Sequence, residues 1–277
     1  MTDPRFYDWL WAVENEIRAH VPMVYYHVWD NYPYPKFNRK FYLSNDHVAC
    51  ISKVTHDIVQ TVAPEVDSSY IPHAVDGDIF KPHTADEVKA WRMSKNLDDK
   101  FVCFWNSRNA RRKQSGTLIW WFKDFLDKVG HDNACLIMHT DVKDQHGQDL
   151  EAIIHELGLT DGQVLFSRDK VDAADLAGMY NMADLTICIS DAEGFGLSTL
   201  ESLSCGTPIL VNMTGGLQDQ VTDGEKFFGI GLQPTSKAII GSQQVPYIYE
   251  DRLNKDDFIN ALTELYEMTP EDRGELG

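Results

Sequence analysis

The sequence predicts an α/β protein built on parallel β-sheets, and three observations support this class. Apolar runs of strand length alternate with segments of helical periodicity along most of the chain. The strand candidates are continuously apolar, which is typical of a parallel sheet that helices cover on both faces. A stretch rich in proline, glycine and polar residues at 72–86 interrupts the alternation, which indicates a boundary between two such units.

Each predicted strand is a short apolar run that ends at polar or turn-forming residues. Each predicted helix lies between two such runs, and the clearest is 114–129, where apolar residues recur at helical spacing. The segment 233–252 has no clean period and is predicted to be a long loop. The predicted strands are 21–27, 47–51, 101–106, 134–139, 163–166, 185–189 and 207–211. The predicted helices are 8–20, 54–63, 86–95, 114–129, 148–157, 173–182 and 255–268.

The boundary divides the chain unequally. Only two or three strands precede it, fewer than a doubly wound domain normally has, whereas about five strand–helix units follow it. We therefore expect part of an N-terminal Rossmann-like domain with its hinge at 1–83 and a nearly complete C-terminal Rossmann-like domain at 84–277. We also expect that sequence upstream of the N-terminal part is missing.

Composition argues against a nucleic-acid-binding, membrane-spanning or secreted protein. The formal net charge of −18 disfavours binding to nucleic acid or to an anionic membrane. No apolar run of about 18 residues occurs, and the N-terminus lacks the pattern of a signal peptide. The five cysteines form no Cys-x-x-Cys pair, which favours a reducing, cytoplasmic setting without disulfides or a zinc site.

The stretch 191–201 is the first candidate site. It reads as a glycine-containing loop between a strand and a helix, with Glu193 and Glu201 eight positions apart. Gly194 and Gly196 allow a close backbone approach, and the start of the helix offers free N–H groups to a phosphate. Together these groups suit a ligand with both hydroxyls and phosphates, such as a sugar nucleotide. Alternatively, Glu201 only completes a capping box with Ser198, and Glu193 is a solvated loop acid.

The second candidate site is a cluster of four cations in six residues, 108–113, after the predicted strand 101–106. Ligands of open α/β sheets bind at the carboxyl ends of the strands, where this cluster falls. Arginine can hold a diphosphate through two hydrogen bonds, and lysine adds a point charge. A solvated basic loop is the alternative, although cations at a helix start oppose the helix dipole.

A third candidate is His27, at the end of the predicted strand 21–27. A histidine at that position can face a crevice and hydrogen-bond a sugar hydroxyl, or it can be an ordinary half-buried histidine. Asp30 and Asn31 add polar groups to the loop that follows.

Taken together, these motifs resemble the retaining glycosyltransferases of the GT-B fold, known as glycosyl transferases group 1 or family 4-like. The resemblance rests on Glu-x7-Glu at 193–201 with Gly-x-Pro at 206–208, on Arg-x4-Lys at 108–113, and on the hinge-like segment 71–82. A helix at 175–184 also fits the family, and the match runs from about residue 21 to 221. The family's glycine-rich N-terminal loop has no counterpart here, and the segment 233–252 departs from the usual ending.

The resemblance implies a role for each matched residue. It implies that Arg108 and Lys113 bind the donor diphosphate, that Glu201 binds the ribose hydroxyls, and that Glu193 and His27 reach the donor sugar as catalytic residues. It also implies that the loop backbone approaches the sugar and phosphates. The loop residues concerned are Gly194, Phe195, Gly196 and Leu197.

We therefore expect a hexosyltransferase that moves a sugar from a nucleoside diphosphate to a glycan, lipid or small-molecule hydroxyl with retention of configuration. We expect no cofactor, no metal and no nucleic-acid partner, and we leave peripheral membrane contact open. Two alternatives remain: a sugar-nucleotide 2-epimerase of the same fold, and a donor-binding fragment or scaffold subunit without full activity. The sequence does not identify the base, the sugar, the acceptor or the oligomeric state.

Overall fold

The computed structural model describes residues 3–277, so the first two residues of the expected N-terminal domain lie outside it. Two parallel sheets dominate the described chain, with three strands in the N-terminal part and six in the C-terminal part. None of the helices in this range is both long and apolar enough to span a membrane.

The N-terminal sheet has the strand order β1-β2-β3, and all its pairings are parallel. Its strands are β1 Val24–His27, β2 His47–Cys50 and β3 Asp67–Tyr70. Its helices are α1 Asp8–Trp11, α2 Glu14–Arg18, α3 Arg39–Leu43 and α4 Lys53–Val62. The single helix predicted at 8–20 is thus two short ones, because the chain leaves helical geometry around Val13 (φ −117°).

The C-terminal sheet has the order β6-β5-β4-β7-β8-β9, which is that of a doubly wound Rossmann-like domain. Its strands are β4 Phe101–Asn106, β5 Ala134–His139, β6 Val164–Ser167, β7 Leu185–Cys188, β8 Ile209–Asn212 and β9 Gly229–Leu232. Its helices are α5 Ala85–Ser94, α6 Ser115–Val129, α7 Leu150–Glu156, α8 Ala173–Met182, α9 Leu197–Ser204, α10 Leu217–Val221, α11 Lys255–Glu267 and α12 Pro270–Gly274.

Two hydrophobic layers cover this sheet. Along β4, Phe101, Cys103 and Trp105 pack with α6 and α11 on one face, while Val102 and Phe104 pack with α8 on the other. Burial on both faces explains why these strands are continuously apolar. Phe80, from the segment that joins β3 to α5, belongs to the second layer and ties that segment to the C-terminal sheet.

The prediction of a long loop at 233–252 is wrong. Most of the segment forms an antiparallel hairpin, with β10 Ser236–Ile240 paired to β11 Ile248–Arg252. Val245 at its tip is buried in the N-terminal core, and Ile248 packs against that core. The hairpin therefore leaves the C-terminal sheet and docks on the N-terminal one. Only single apolar residues of the hairpin, such as Val245 and Ile248, pack on the N-terminal core, so its sequence shows no regular alternation of apolar and polar residues.

Candidate functional site

A cleft of about 1110 Å³ lies between the two sheets. The C-terminal sheet reverses its strand order between β4 and β7, which pair in parallel. Such switch points, at the carboxyl ends of the strands, are where open α/β sheets bind ligands. The loops after β4 and β7 meet there, and the N–H of Asp191 donates to the carbonyl of Arg112 at 2.8 Å. The structure thus brings the cation cluster and the acidic loop together.

Glycines give the acidic loop its shape. Gly196 adopts φ +93° as the N-cap of α9, and a side chain on Gly194 would lie 3.0 Å from the carbonyl oxygen of Val28. Below the loop, Gly216 donates its N–H to the carbonyl of Glu193 at 2.8 Å. The predicted loop residues line the cleft, where the first N–H groups of α9 have no partner within the helix. These loop residues are Gly194, Phe195, Gly196 and Leu197.

Glu193 lies at the centre of this cluster of charges. Its carboxylate forms an ion pair with the ammonium of Lys113, and Nη1 of Arg112 lies 3.5 Å from its Oε2. Burial acts to raise the pKa of Glu193, but the charges of Lys113 and Arg112 outweigh it and hold the pKa below its usual value. Glu193 is therefore ionised at neutral pH and is not a solvated loop acid.

Glu201 does not form the capping box considered as an alternative. Helix α9 begins at Leu197, so Ser198 and Glu201 both lie inside it, and Gly196 supplies the N-cap without a side-chain bond. The carboxylate of Glu201 instead accepts a hydrogen bond of 2.6 Å from Oη of Tyr180. Burial raises the pKa of Glu201, and the Tyr180 bond partly opposes the rise.

The four cations of the 108–113 cluster separate in the structure. Arg108 points to Asp144, with which it makes hydrogen bonds of 2.6 and 3.1 Å. Lys113 reaches Glu193, while Arg111 and Arg112 line the cleft. Arg108 does not line the cleft in this arrangement, and its predicted role stays a prediction.

His27 is fully buried at the edge of the cleft. Its Nε2 lies 2.8 Å from Oη of Tyr42, whereas its Nδ1 has no hydrogen-bond partner within the described residues. Burial lowers the pKa of His27 to about 3, so the ring is neutral. Contact with a sugar would need Nδ1 to become accessible, and the catalytic role of His27 stays a prediction.

Sequence reasoning did not single out Glu250, Arg252 or His73, which the fold brings to the cleft or beside it. Arg111, one of the four predicted cations, forms a bidentate pair with Glu250 of β11 at 2.5 and 2.8 Å, and Arg252 bridges Glu250 and Asp191 at 2.8 and 2.7 Å. His73 packs edge-on to Phe195, with ring centroids 5.1 Å apart. The hairpin partners could not be predicted because their contacts depend on a segment without periodicity.

Comparison with known proteins agrees with this geometry. Residues 85–272 match the family described as glycosyl transferases group 1. D-inositol 3-phosphate glycosyltransferase from Arthrobacter sp. (strain FB24) is 33% identical over 113 residues, which are 41% of this chain and 26% of that protein. GDP-mannose-dependent alpha-(1-6)-phosphatidylinositol monomannoside mannosyltransferase from Mycolicibacterium smegmatis is 28% identical over 188 residues, 65% of this chain and 47% of that protein.

A solved structure supports the fold. HepE from Anabaena, in complex with UDP and glucose, superposes with a TM-score of 0.71 at 19% identity, covering 94% of this chain and 66% of that one. The matched part of this chain spans less than half the length of the inositol phosphate glycosyltransferase and of the mannosyltransferase. The motifs, the two-sheet architecture and the family match together show that this chain belongs to the glycosyl transferases group 1 and has the GT-B fold.

Proposed function

We propose that the chain binds a nucleoside diphosphate sugar in the cleft and transfers its hexosyl group to a hydroxyl acceptor with retention of configuration. The observation that carries this proposal is the contact between Lys113 and Glu193 at the start of α9. It sets a cation, helix N–H groups and an ionised carboxylate side by side at the switch point. The cation and the helix N–H groups can bind a diphosphate. The ionised carboxylate can stabilise a positively charged transition state of the sugar.

The departing diphosphate gains negative charge as the glycosidic bond breaks. Lys113, Arg112 and the N-terminus of α9 would stabilise that charge, because fixed cations and dipoles in a cleft do not have to reorganise. In this proposal they supply the positive charge that a metal ion provides in other transferases. Arg108 would join them after it exchanges Asp144 for a phosphate.

The sugar and the nucleoside would lie on opposite sides of the diphosphate. Glu193, ionised and fixed by Lys113, would face the sugar and stabilise its oxocarbenium character. Glu201 would accept from the ribose hydroxyls, with Tyr180 orienting its carboxylate. The eight-residue spacing of the two acids would then reflect the distance between ribose and transferred sugar.

The relatives narrow the choice of reaction. Their names describe an inositol phosphate glycosyltransferase and a GDP-mannose-dependent mannosyltransferase, and the superposed structure contains UDP and glucose. These favour a glucose or mannose donor and an inositol-containing acceptor, and they give no support to an epimerase. A donor-binding subunit remains the second candidate, because the matches cover only parts of the relatives.

Turnover tests the proposal. We expect the chain to release UDP or GDP from UDP-glucose or GDP-mannose in the presence of myo-inositol phosphate, and NMR of the product to show the donor's anomeric configuration. Glu193→Gln should lower the rate at least about 100-fold, since it removes a charge that acts in the transition state. Glu156→Gln, a change at an exposed acid, should leave it unchanged.

Other results would contradict the proposal in different ways. Donor binding without release or transfer would identify a donor-binding subunit. Conversion of the sugar without an acceptor would identify an epimerase, and inverted configuration would exclude the retaining mechanism.

A further inference from the structure

The hairpin encloses a second cavity beside the cleft. It has a volume of about 290 Å³ and is walled by the loop after β1, the segment after β8 and both strands of the hairpin. This volume lies at the low end of small-molecule sites and suits a single ring. Both halves of the molecule contribute walls to this cavity.

Two hydrogen bonds connect the walls of this cavity. The side-chain amide of Asn31 donates to the carbonyl of Tyr249 at 2.8 Å, and the N–H of Tyr249 donates to the carbonyl of Tyr32 at 2.6 Å. Strand β11 is thus joined to the loop after β1. The two walls that these segments form are therefore held together without a ligand.

Asp30 lies where the two cavities meet, because it lines both the cleft and the smaller cavity. Within residues 3–277 its carboxylate makes no hydrogen bond or ion pair with another residue, and Arg112 and Lys113 act on it only through their charges. By contrast, Glu193 and Glu250 on the same cleft are fully paired. A half-buried carboxylate without a partner is costly unless a ligand supplies one.

The other walls offer both donors and acceptors of hydrogen bonds. Gln218 contributes an amide, Tyr249 a phenol, and Lys237 lies 3.6 Å from the carboxylate of Asp251. The charged groups are two carboxylates, Asp30 and Asp251, and one ammonium, Lys237, so the lining does not favour an anion or an apolar ligand. Such a lining fits a neutral ring that carries several hydroxyls.

We propose that this cavity holds a polyhydroxylated ring of the acceptor and that Asp30 accepts a hydrogen bond from the hydroxyl to be glycosylated. The assignment of this cavity to the acceptor rests on the proposed transfer reaction. Binding of a polyol to the cavity can be measured independently of that reaction. Burial acts to raise the pKa of Asp30, Arg112 opposes it and Glu193 adds to it, which fits a carboxylate awaiting a donor.

Saturation-transfer NMR tests the site directly, with myo-inositol, glucose and mannose as probes on protein saturated with UDP or GDP. At least one polyol should give a signal with the unmodified chain. Asp30→Asn should reduce that signal at least fivefold, and Gln218→Ala should reduce it as well. Asp98→Asn, a matched change at an exposed acid outside the cavity, should keep it.

The outcomes separate the two proposals. No signal from any polyol, or equal signals from all variants, would overturn the acceptor assignment, while UDP or GDP binding to the same samples reports on the donor site. Circular dichroism checks that each variant is folded. If Asp30→Asn alone misfolds, Gln218→Ala decides the result.

Discussion

At the scale of single residues, the bond between Tyr180 and Glu201 gives the clearest link between packing and ligand binding. Tyr180 is fully buried on α8, and its Oη both accepts from the amide of Asn106 at 2.8 Å and donates to Glu201 at 2.6 Å. One phenol thus connects the end of β4 to the middle of α9. The carboxylate proposed to bind ribose is held by the hydrophobic core.

Tyr180→Phe should lower donor affinity about three- to tenfold and the free energy of unfolding by about 1–3 kcal/mol, because the hydrogen bonds to Asn106 and Glu201 are both lost with little change of shape. Calorimetric titration with UDP and GDP, together with urea unfolding, measures both effects. Tyr247→Phe, a change at an exposed tyrosine, serves as the control. Unchanged affinity in Tyr180→Phe would separate Glu201 from the ligand.

Asp30 should make stability depend on pH in an unusual direction. Burial raises its pKa from 3.8 to about 6, so the folded state binds this proton more tightly than the unfolded state does. Protonation of Asp30 therefore contributes to the free energy of unfolding in full below about pH 4. This contribution is lost as the pH rises through 6.

Asp30→Asn should therefore stabilise the chain by about 1–2 kcal/mol at pH 8 and by much less at pH 4, since the amide carries no charge to desolvate. Urea unfolding at both pH values measures the difference, with Asp98→Asn as the reference. A loss of stability at pH 8 would show that the carboxylate has a partner in the folded chain.

At the scale of elements, long apolar runs were predicted well and short polar strands were not. Strands β4 and β5 have the predicted bounds, because six consecutive residues are nearly all apolar. Strand β3 is polar (DSSY) and β9 contains two glycines (GIGL), so neither carries the pattern of a buried strand. These two strands form because they pair with β2 and β8, and this pairing cannot be predicted from the sequence of the strands themselves.

The candidate site shows the same limit. The loops that contain Lys113 and Glu193 were predictable, because each follows an apolar strand and carries charge or glycine. The pairing of Arg108 with Asp144 was not, since the two lie on different loops and either could face solvent. The contributions of Arg111 and Asp30 depend on the hairpin, whose position no local pattern indicated.

The packing of Gly216 against the acidic loop yields a test at this scale. Its φ of −71° suits any residue, so only space requires glycine: an added Cβ would lie 2.5 Å from the carbonyl oxygen of Gly194 and 2.6 Å from Cα of Phe195. Gly216→Ala should cost about 1–3 kcal/mol and weaken donor binding, because the loop must move.

Gly77→Ala is the matched control, since nothing lies within 4 Å of its added Cβ, and it should change stability by less than about 0.5 kcal/mol. Thermal unfolding and titration with UDP or GDP measure both variants. If Gly216→Ala bound donor normally, the exact shape of the loop would not matter for the ligand.

At the scale of the whole molecule, the chain is strongly acidic, with a net charge of −18, and its cleft pairs the arginines Arg111 and Arg112 with the carboxylates Glu250 and Glu193. The doubly wound strand order puts the loops after β4 and β7 next to each other. The hairpin β10–β11 packs on the N-terminal core and so connects the N-terminal sheet to these loops. The order and spacing of motifs in the sequence were enough to predict the fold family. The second cavity, which depends on contacts between the two halves, required the structure.

Calorimetric titration of UDP-glucose and GDP-mannose tests the central claim, that the cation cluster and the acidic loop hold a nucleoside diphosphate sugar. The unmodified chain should bind at least one donor, and Arg108→Ala with Lys113→Ala should weaken binding at least about 100-fold, because two charge-assisted contacts of about 1.5–3 kcal/mol each are lost. Lys81→Ala with Lys89→Ala, at exposed positions outside the cleft, should bind like the unmodified chain. Equal affinity of the Arg108 and Lys113 double variant would contradict the assignment of this cleft to the donor diphosphate.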